Sequence, residues 1–153
     1  MNIDETLRTR YLEYTKKYDL PSLEQLNEAF EVRDAIMHEE FVPEYLLRFI
    51  RRRIIAILDS WTNYLHSILM PGQQSMILYE ESNKFSEEEK EKAMSVMKKI
   101  VKFNRMSVIL EVEQAEEKDA AFVKQAYDAW RVLHKDLKPF AEKSLSVWSD
   151  EVK

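Results

Sequence analysis

The sequence predicts an all-α fold, and three observations support that prediction. The chain has one glycine and no cysteine in 153 residues, so it offers few positions for left-handed backbone and none for a disulfide. Its four prolines stand where helical segments are expected to begin or end. Apolar residues recur at steps of three and four, which is the helical period. We therefore expect residues 1–153 to form a single-domain helical bundle of about five to six helices, mostly antiparallel, with a long central third helix.

The first two predicted helices form an N-terminal hairpin over residues 3–39. Five residues recur at helical steps on one stripe: Ile3, Leu7, Tyr11, Tyr14 and Tyr18. They predict a first helix over about 3–18. Ser22 and Gln25 match a capping box, in which each side chain satisfies a backbone N–H of the other residue. This motif predicts a second helix over about 23–39.

A long third helix is predicted over 43–69. Pro43 suits its first turn, because the N–H that proline lacks would have no partner there. The apolar residues of this segment follow a three-four repeat: Leu47, Ile50, Ile54, Ile57, Trp61, Tyr64 and Ile68. Further apolar residues widen the stripe, which predicts that the helix is central. Residues 70–85 are expected to form a linker, with a short turn near 76–79.

A fourth helix is predicted over 86–115, because Ser86 and Glu89 match a second capping box. We expect a break near 115–119. An unbroken helix over 86–137 would be about 78 Å long, which is too long for an ordinary compact bundle.

The C-terminal helices are predicted over 119–150. Their apolar residues recur at helical spacing: Phe122, Ala126, Ala129, Trp130, Leu133 and Leu137. Pro139 has two possible effects. It either kinks this helix or opens a last one.

Composition and charge limit the class of partner. The net charge of −5 argues against a protein that coats nucleic acid through bulk electrostatics, so any such contact must be local. No stretch approaches the roughly 20 apolar residues of a membrane span, and the first ten residues mix acids and bases before any apolar run. The absence of cysteine agrees with a reducing compartment. We expect a cytoplasmic protein without a membrane partner.

The sequence contains no complete catalytic or metal-binding motif. Helical di-metal centres use Glu-x-x-His pairs, but Ala35, Asn63 and Arg131 stand three residues before the three histidines. No serine lies in a glycine-flanked turn that could hold a nucleophile. We therefore expect no catalytic residue, no metal and no cofactor. A metal site that uses His66 and Asp59, seven residues apart on one helix, is the alternative.

Glu111 is a candidate buried carboxylate. It shares a face of the fourth predicted helix with Val108 and Asn104, and that face also carries Met97 and Val101. A partly buried carboxylate usually has a cationic partner. We expect an arginine of the third predicted helix to be that partner.

Two basic clusters give the sequence its candidate binding site. Arg48, Arg51, Arg52 and Arg53 occupy little more than one turn of the third predicted helix. The fourth predicted helix carries a basic face, spaced four and three: Lys98, Lys102 and Arg105. If these two helices pack antiparallel, the clusters lie at the same level.

Two interpretations of these clusters are open. In the first, carboxylates neutralise the arginines, including Glu24, Glu28 and Glu31 of the second predicted helix. In the second, the clusters form an anion-binding or phosphate-binding patch on an acidic protein. The residues of that patch are Arg48, Arg51, Arg52, Lys98, Lys102 and Arg105.

One resemblance to known proteins accompanies these motifs. The segment LPSLEQLNEAFEV at 20–32 and the stretch RFIRRRI at 48–54 resemble the opening of small archaeal proteins of unassigned function. The resemblance covers the first half of the chain and implies a cytoplasmic archaeal origin. It implies no site residues.

These observations favour a non-enzymatic helical interaction or adapter protein, which acts as a homodimer or within a larger assembly. Seventeen aromatic residues (three Trp, seven Tyr, seven Phe) suit a protein-binding surface. The alternative is a nucleic-acid-associated protein that contacts phosphates through the basic patch, without reading the base sequence. An enzyme with a helix-borne metal site is a third hypothesis.

Overall fold

The structure is a computed structural model that describes residues 2–72 and 75–149. Those residues form seven helices and no strand: α1 (Ile3–Tyr18), α2 (Leu23–Phe30), α3 (Val32–Glu39), α4 (Leu46–Leu69), α5 (Met76–Asn83), α6 (Glu87–Glu113) and α7 (Glu116–Val147). The all-α prediction is confirmed, whereas the predicted number of five to six helices is wrong. Among the helices so described, none has the length and apolar character that a membrane crossing requires.

The first helix agrees with its predicted bounds. The Asn2 side chain caps α1 by accepting a hydrogen bond from the Glu5 N–H at 2.8 Å. Leu7 and Tyr11 of the predicted stripe are buried. Burial raises the pKa of the Tyr11 hydroxyl, which donates to the backbone oxygen of Pro21 at 2.5 Å.

The predicted second helix is divided into α2 and α3. Its capping box is confirmed, since the Ser22 hydroxyl accepts from the Gln25 N–H at 3.1 Å and the Gln25 side chain accepts from the Ser22 N–H at 2.8 Å. The division occurs at Glu31, whose φ of 54° lies in the left-handed region. An arginine of α4, Arg53, binds the backbone oxygen of Phe30 and the Glu31 carboxylate at this point. Such a contact between distant residues is not visible in helical spacing.

The predicted linker contains α5, an eight-residue helix. The Ser75 hydroxyl caps it by accepting from the Leu78 N–H at 3.3 Å. The buried Ser82 hydroxyl ties it to α4 by donating to the backbone oxygen of Ile68 at 2.6 Å. The prediction of a linker with a short turn is therefore wrong for 76–83. Residues 73–74 of that linker lie outside the described residues.

The predicted break between the last two long helices is confirmed, at the early edge of its range. The α6 helix ends at Glu113, and Gln114 adopts a φ of 53° before α7 begins at Glu116. The α7 helix continues through Pro139, so the alternative in which Pro139 opens a separate helix is wrong. The fixed φ of proline is helical, and the burial of Leu137 and Phe140 on either side holds the segment in place.

The chain forms two compact units. The first comprises Met1–Ile57 and Phe103–Trp130, and the second comprises Leu58–Lys102 and Arg131–Lys153. Each of α4, α6 and α7 contributes residues to both units. The bundle as a single domain, with mostly antiparallel helices, stays a prediction.

Each unit has its own buried apolar residues. In the first unit they include Leu7, Leu26, Phe30, Ile36, Ile50, Ile54 and Phe122. In the second they include Leu58, Leu65, Ile68, Phe85, Val96, Ile100 and Phe140. Aromatic pairs strengthen both sets, with ring centroids 5.6 Å apart for Phe30 and Trp130 and 6.0 Å apart for Phe85 and Phe140.

Candidate binding site around the arginine cluster

Four arginines lie in little more than one turn of α4 and form the arginine cluster: Arg48, Arg51, Arg52 and Arg53. The same segment carries Leu47, Ile50 and Ile54, which are buried in the first unit. Because consecutive residues point about 100° apart on a helix, the four side chains leave α4 in different directions. Each therefore meets a different set of partners.

Arg51 is fully buried and is paired within the first unit. Its Nε donates to Asp119 Oδ1 at 2.8 Å, and its Nη1 donates to Glu111 Oε1 at 3.1 Å. The same Nη1 donates to the backbone oxygen of Ser107 at 3.3 Å and contacts the Ser107 hydroxyl. Two carboxylates thus compensate the positive charge of Arg51. Desolvation of that charge without a partner would cost on the order of several kcal/mol.

Arg52 binds Glu111 from the solvent side. Its Nε donates to Oε1 at 2.7 Å and its Nη2 donates to Oε2 at 2.8 Å, which is bidentate geometry. This hydrogen bonding, together with the positive charges of Arg51 and Arg52, lowers the pKa of Glu111 to about 2. The prediction that an arginine of the third predicted helix, now α4, partners Glu111 is confirmed.

Arg53 reaches the junction between α2 and α3. Its Nε donates to the backbone oxygen of Phe30 at 2.9 Å, and its Nη2 donates to Glu31 Oε2 at 2.9 Å. The interpretation in which carboxylates neutralise the arginines therefore holds for Arg51, Arg52 and Arg53. Glu24, which that interpretation included, pairs instead with Arg8 of α1.

Arg48 differs from the other three arginines. Its guanidinium carbon lies 4.6 Å from the ring centroid of Tyr45, a cation–π distance. Its Nε is buried and donates to no other residue that the structure describes. The side chain lines a pocket of about 190 Å³ in the first unit, which we call the Arg48 pocket. Its wall includes Tyr14, Tyr45, Arg48, Gln114, Glu116 and Asp119.

The basic residues of the fourth predicted helix lie on α6 and are exposed. Lys98 and Lys102 belong to the second unit and Arg105 to the first. In the described parts of the chain, none of the three forms an ion pair with a carboxylate. Phosphate binding by these residues together with Arg48, Arg51 and Arg52 stays a prediction, and the guanidinium groups of Arg51 and Arg52 are occupied by carboxylates.

An exposed apolar surface lies at the C-terminal end of α6. Val108, Ile109 and Val112 form this apolar patch, with 55%, 57% and 82% of their surfaces exposed. Beside it runs a groove of about 240 Å³ between α6 and α7, lined chiefly by apolar residues of the first unit. Its lining comprises Met106, Ile109, Leu110, Lys118, Ala121, Phe122 and Gln125.

The second unit contains an open pocket of about 330 Å³ beside Trp61 and Tyr64. Its chief polar group is already engaged, because the Tyr64 hydroxyl donates to the backbone oxygen of Phe140 at 2.9 Å and bonds to Ser144. Across residues 2–72 and 75–149, no three His, Asp or Glu side chains come close enough to hold a metal ion. The alternative metal site at His66 and Asp59 therefore gains no third ligand there.

Comparison with protein-family models, with curated proteins and with solved structures gives no match for this chain.

The sequence-based predictions included neither Asp119 nor Ser107 as a partner of Arg51, and they did not include the Arg48 pocket. Asp119 lies in what was predicted as a polar break, yet it is buried in the first turn of α7. A signal was present, because Asp119 stands three and four residues before the buried Phe122 and Val123 and so shares their face. The pocket had no such signal, since its residues come from three separate segments of the chain.

Proposed function

We propose that this chain is a non-enzymatic helical interaction protein that self-associates through the apolar patch. The observation that carries the proposal is the exposure of three branched aliphatic residues on adjoining positions of one helix. Scattered exposed apolar residues are ordinary on a protein surface, whereas a contiguous apolar patch commonly marks a binding surface. Val112, at 82% exposed, is the most exposed of the three.

The groove beside the patch supports a helical occupant. Ile109 belongs both to the apolar patch and to the wall of the groove, so the two form one continuous surface. An apolar ridge on a partner helix can enter such a groove with side chains spaced three and four apart. A second copy of α6 carries a ridge of this kind, formed by its own patch.

Charge complementarity favours a second copy of this chain. Arg105 precedes the patch and Glu113 follows it, each four residues from Ile109. When two α6 helices pack antiparallel about Ile109, Arg105 of each copy lies opposite Glu113 of the other. Glu113 Oε2 contacts Lys118 in the same chain, and its other oxygen accepts no hydrogen bond from a described residue. A closed two-fold arrangement of this kind satisfies both copies equally.

Sedimentation velocity over a range of protein concentrations tests self-association. We expect the wild-type chain to dimerise and Ile109→Glu to sediment as a monomer, because a charge would be desolvated in the apolar patch. Leu12→Glu is the matched control, since Leu12 is 53% exposed on α1 of the same unit. A wild-type chain that stays monomeric at its highest soluble concentration would overturn the proposal.

Charge reversal tests the antiparallel arrangement. Arg105→Glu should weaken dimerisation by roughly tenfold through like-charge opposition, and the added change Glu113→Arg should restore it. If the double variant dimerises no better than Arg105→Glu alone, α6 does not pack in this register.

Nucleic-acid association is the second candidate function. The observation that favours it is that Lys98, Lys102 and Arg105 are exposed and form no ion pair with any carboxylate among the described residues. Such lysine and arginine side chains can contact backbone phosphates without reading bases. Arg51 and Arg52 would contribute less to this function, because Glu111 and Asp119 compensate their charges.

Filter binding of a labelled RNA or DNA at increasing salt tests this second function. Affinity should fall steeply with salt, and Lys102→Glu should weaken it more than Lys135→Glu, a matched change at an exposed lysine of α7. Absence of binding at low salt would remove the candidate. Lys102 lies outside the apolar patch, so this result is independent of dimerisation.

A further inference from the structure

The Arg48 pocket combines an unsatisfied cation with carboxylates that retain free acceptor capacity. The Arg48 guanidinium lies over the Tyr45 ring, and its buried Nε has no hydrogen-bond partner among the described residues. A planar guanidinium held against a ring keeps its edge N–H groups available for a carboxylate. At about 190 Å³, the pocket is larger than an engineered cavity of roughly 150 Å³ that holds benzene.

The position of Arg48 on α4 favours an anionic group beside it. Arg48 is the third residue of α4, and no acidic residue stands in the first turn of that helix. A cation at this end faces the positive pole of the helix dipole, so negative charge beside it is stabilising. A ligand carboxylate at the guanidinium would be stabilised both by the Arg48 charge and by the positive end of the α4 dipole.

The carboxylates in the pocket wall, Glu44, Glu116 and Asp119, disfavour a simple anion. Asp119 Oδ1 accepts from Arg51, while its Oδ2 accepts from no residue that the structure describes. Glu116 Oε2 accepts from the Tyr18 hydroxyl at 2.6 Å and lies 3.5 Å from Lys17 Nζ. An anion alone would meet these carboxylates, and a cation alone would meet Arg48. A ligand that carries both charges can meet Arg48 and a carboxylate of the wall at the same time.

We propose that the Arg48 pocket binds a small zwitterion that carries one carboxylate and one ammonium group, as a free amino acid does. The carboxylate lies on the Arg48 guanidinium, and the ammonium group lies against Asp119 and the neighbouring Glu116. Leu46 and Leu47 also line the pocket and suit an apolar side chain. None of the residues that line this pocket belongs to the apolar patch, and the proposal does not depend on self-association.

Calorimetric titration of the full chain with three matched probes tests this inference. L-leucine carries both charged groups, L-leucinamide lacks the carboxylate, and 4-methylpentanoate lacks the ammonium group. We expect L-leucine to bind, and each analogue to bind at least about tenfold more weakly because one charged contact is lost. Amide chemical shifts should change for Tyr45, Leu47 and Gln114, which border the pocket.

Two variants locate the site. Arg48→Met keeps the apolar stem and removes the guanidinium, so it should abolish L-leucine binding, whereas Arg131→Met, a matched change at an exposed arginine of the second unit, should not. Equal binding of 4-methylpentanoate and L-leucine would overturn the proposal that the ligand carries two charges. Absence of L-leucine binding to the wild-type chain, or binding unchanged by Arg48→Met, would overturn the site. If Arg48→Met fails to fold, the comparison of the three probes on the wild-type chain still tests whether binding requires both charged groups.

Discussion

Arg51 and Asp119 form a buried ion pair, with Arg51 Nε 2.8 Å from Asp119 Oδ1 and side chains that are 0% and 5% exposed. The two residues are 68 positions apart in the sequence. The pair therefore joins the first half of α4 to the first turn of α7 within the first unit. Glu111 binds the same guanidinium and extends the network to α6.

Removal of the Arg51 guanidinium should strongly destabilise the chain. Arg51→Met leaves Asp119 buried without its cation, and loss of one partner from a buried pair costs about 3–5 kcal/mol. Arg52→Met should cost about 1 kcal/mol or less, because the Arg52 side chain is 58% exposed. Urea unfolding of both variants measures the difference. Equal losses would contradict the central place of Arg51 in this network.

The interaction of Glu111 with the arginines predicts a loss of stability in acid. Its pKa in the folded chain, about 2, lies below the ordinary value of 4.5. The ionised carboxylate therefore stabilises the fold fully above pH 4.5, and this contribution disappears as the pH falls towards 2. The difference in unfolding free energy between the wild-type chain and Glu111→Gln should shrink over that range. In an Arg52→Met background, this pH dependence should be smaller, and an unchanged dependence would contradict the assignment.

The second capping box predicts that removal of the Ser86 hydroxyl destabilises the chain. The Ser86 hydroxyl accepts from the Glu89 N–H at 3.1 Å, and Glu89 Oε1 accepts from the Ser86 N–H at 2.9 Å. Ser86→Ala should lower the free energy of unfolding by about 1 kcal/mol. Ser95→Ala, at an exposed position inside α6, should not lower it, because alanine is the better helix former there. Similar losses in urea unfolding for the two variants would show that the cap is not stabilising.

The left-handed backbone at Gln114 predicts a reversal of the usual preference for alanine over glycine. With a φ of 53°, Gln114 occupies a region that residues with a Cβ adopt at a cost of about 1 kcal/mol. Gln114→Gly should therefore be more stable than Gln114→Ala. At Lys135, inside α7, the glycine variant should be less stable than the alanine variant by about 1 kcal/mol. If thermal unfolding ranks the glycine and alanine variants in the same order of stability at both positions, the left-handed turn is contradicted.

Much of the fold was predictable because its signals are local. The bounds of α1, both capping boxes and the break before α7 depend on residues within one or two helical turns of each other. The division of α2 from α3 at Glu31 was not predictable in this way. It coincides with contacts from Arg53, which lies 22 residues away. The short helix α5 was missed because its apolar residues, 76–79, are consecutive and show no helical period.

The candidate site was partly predictable for the same reason. Glu111 stood out because a carboxylate on an otherwise apolar face needs a cation, and Arg51 and Arg52 supply it. The Arg48 pocket depends on segments that meet through tertiary packing, namely α1, the start of α4 and the turn at Gln114. Neither spacing nor composition places Tyr14 beside Arg48.

The most direct test of self-association through α6 uses the absence of cysteine from the chain. In an antiparallel pair centred on Ile109, residue 109 of one copy faces residue 109 of the other. Under mild oxidation, Ile109→Cys should form a disulfide-linked dimer rapidly, because the two thiols are held together. Leu12→Cys, with comparable exposure on α1, should form one far more slowly. Equal rates of cross-linking for the two variants would contradict the account.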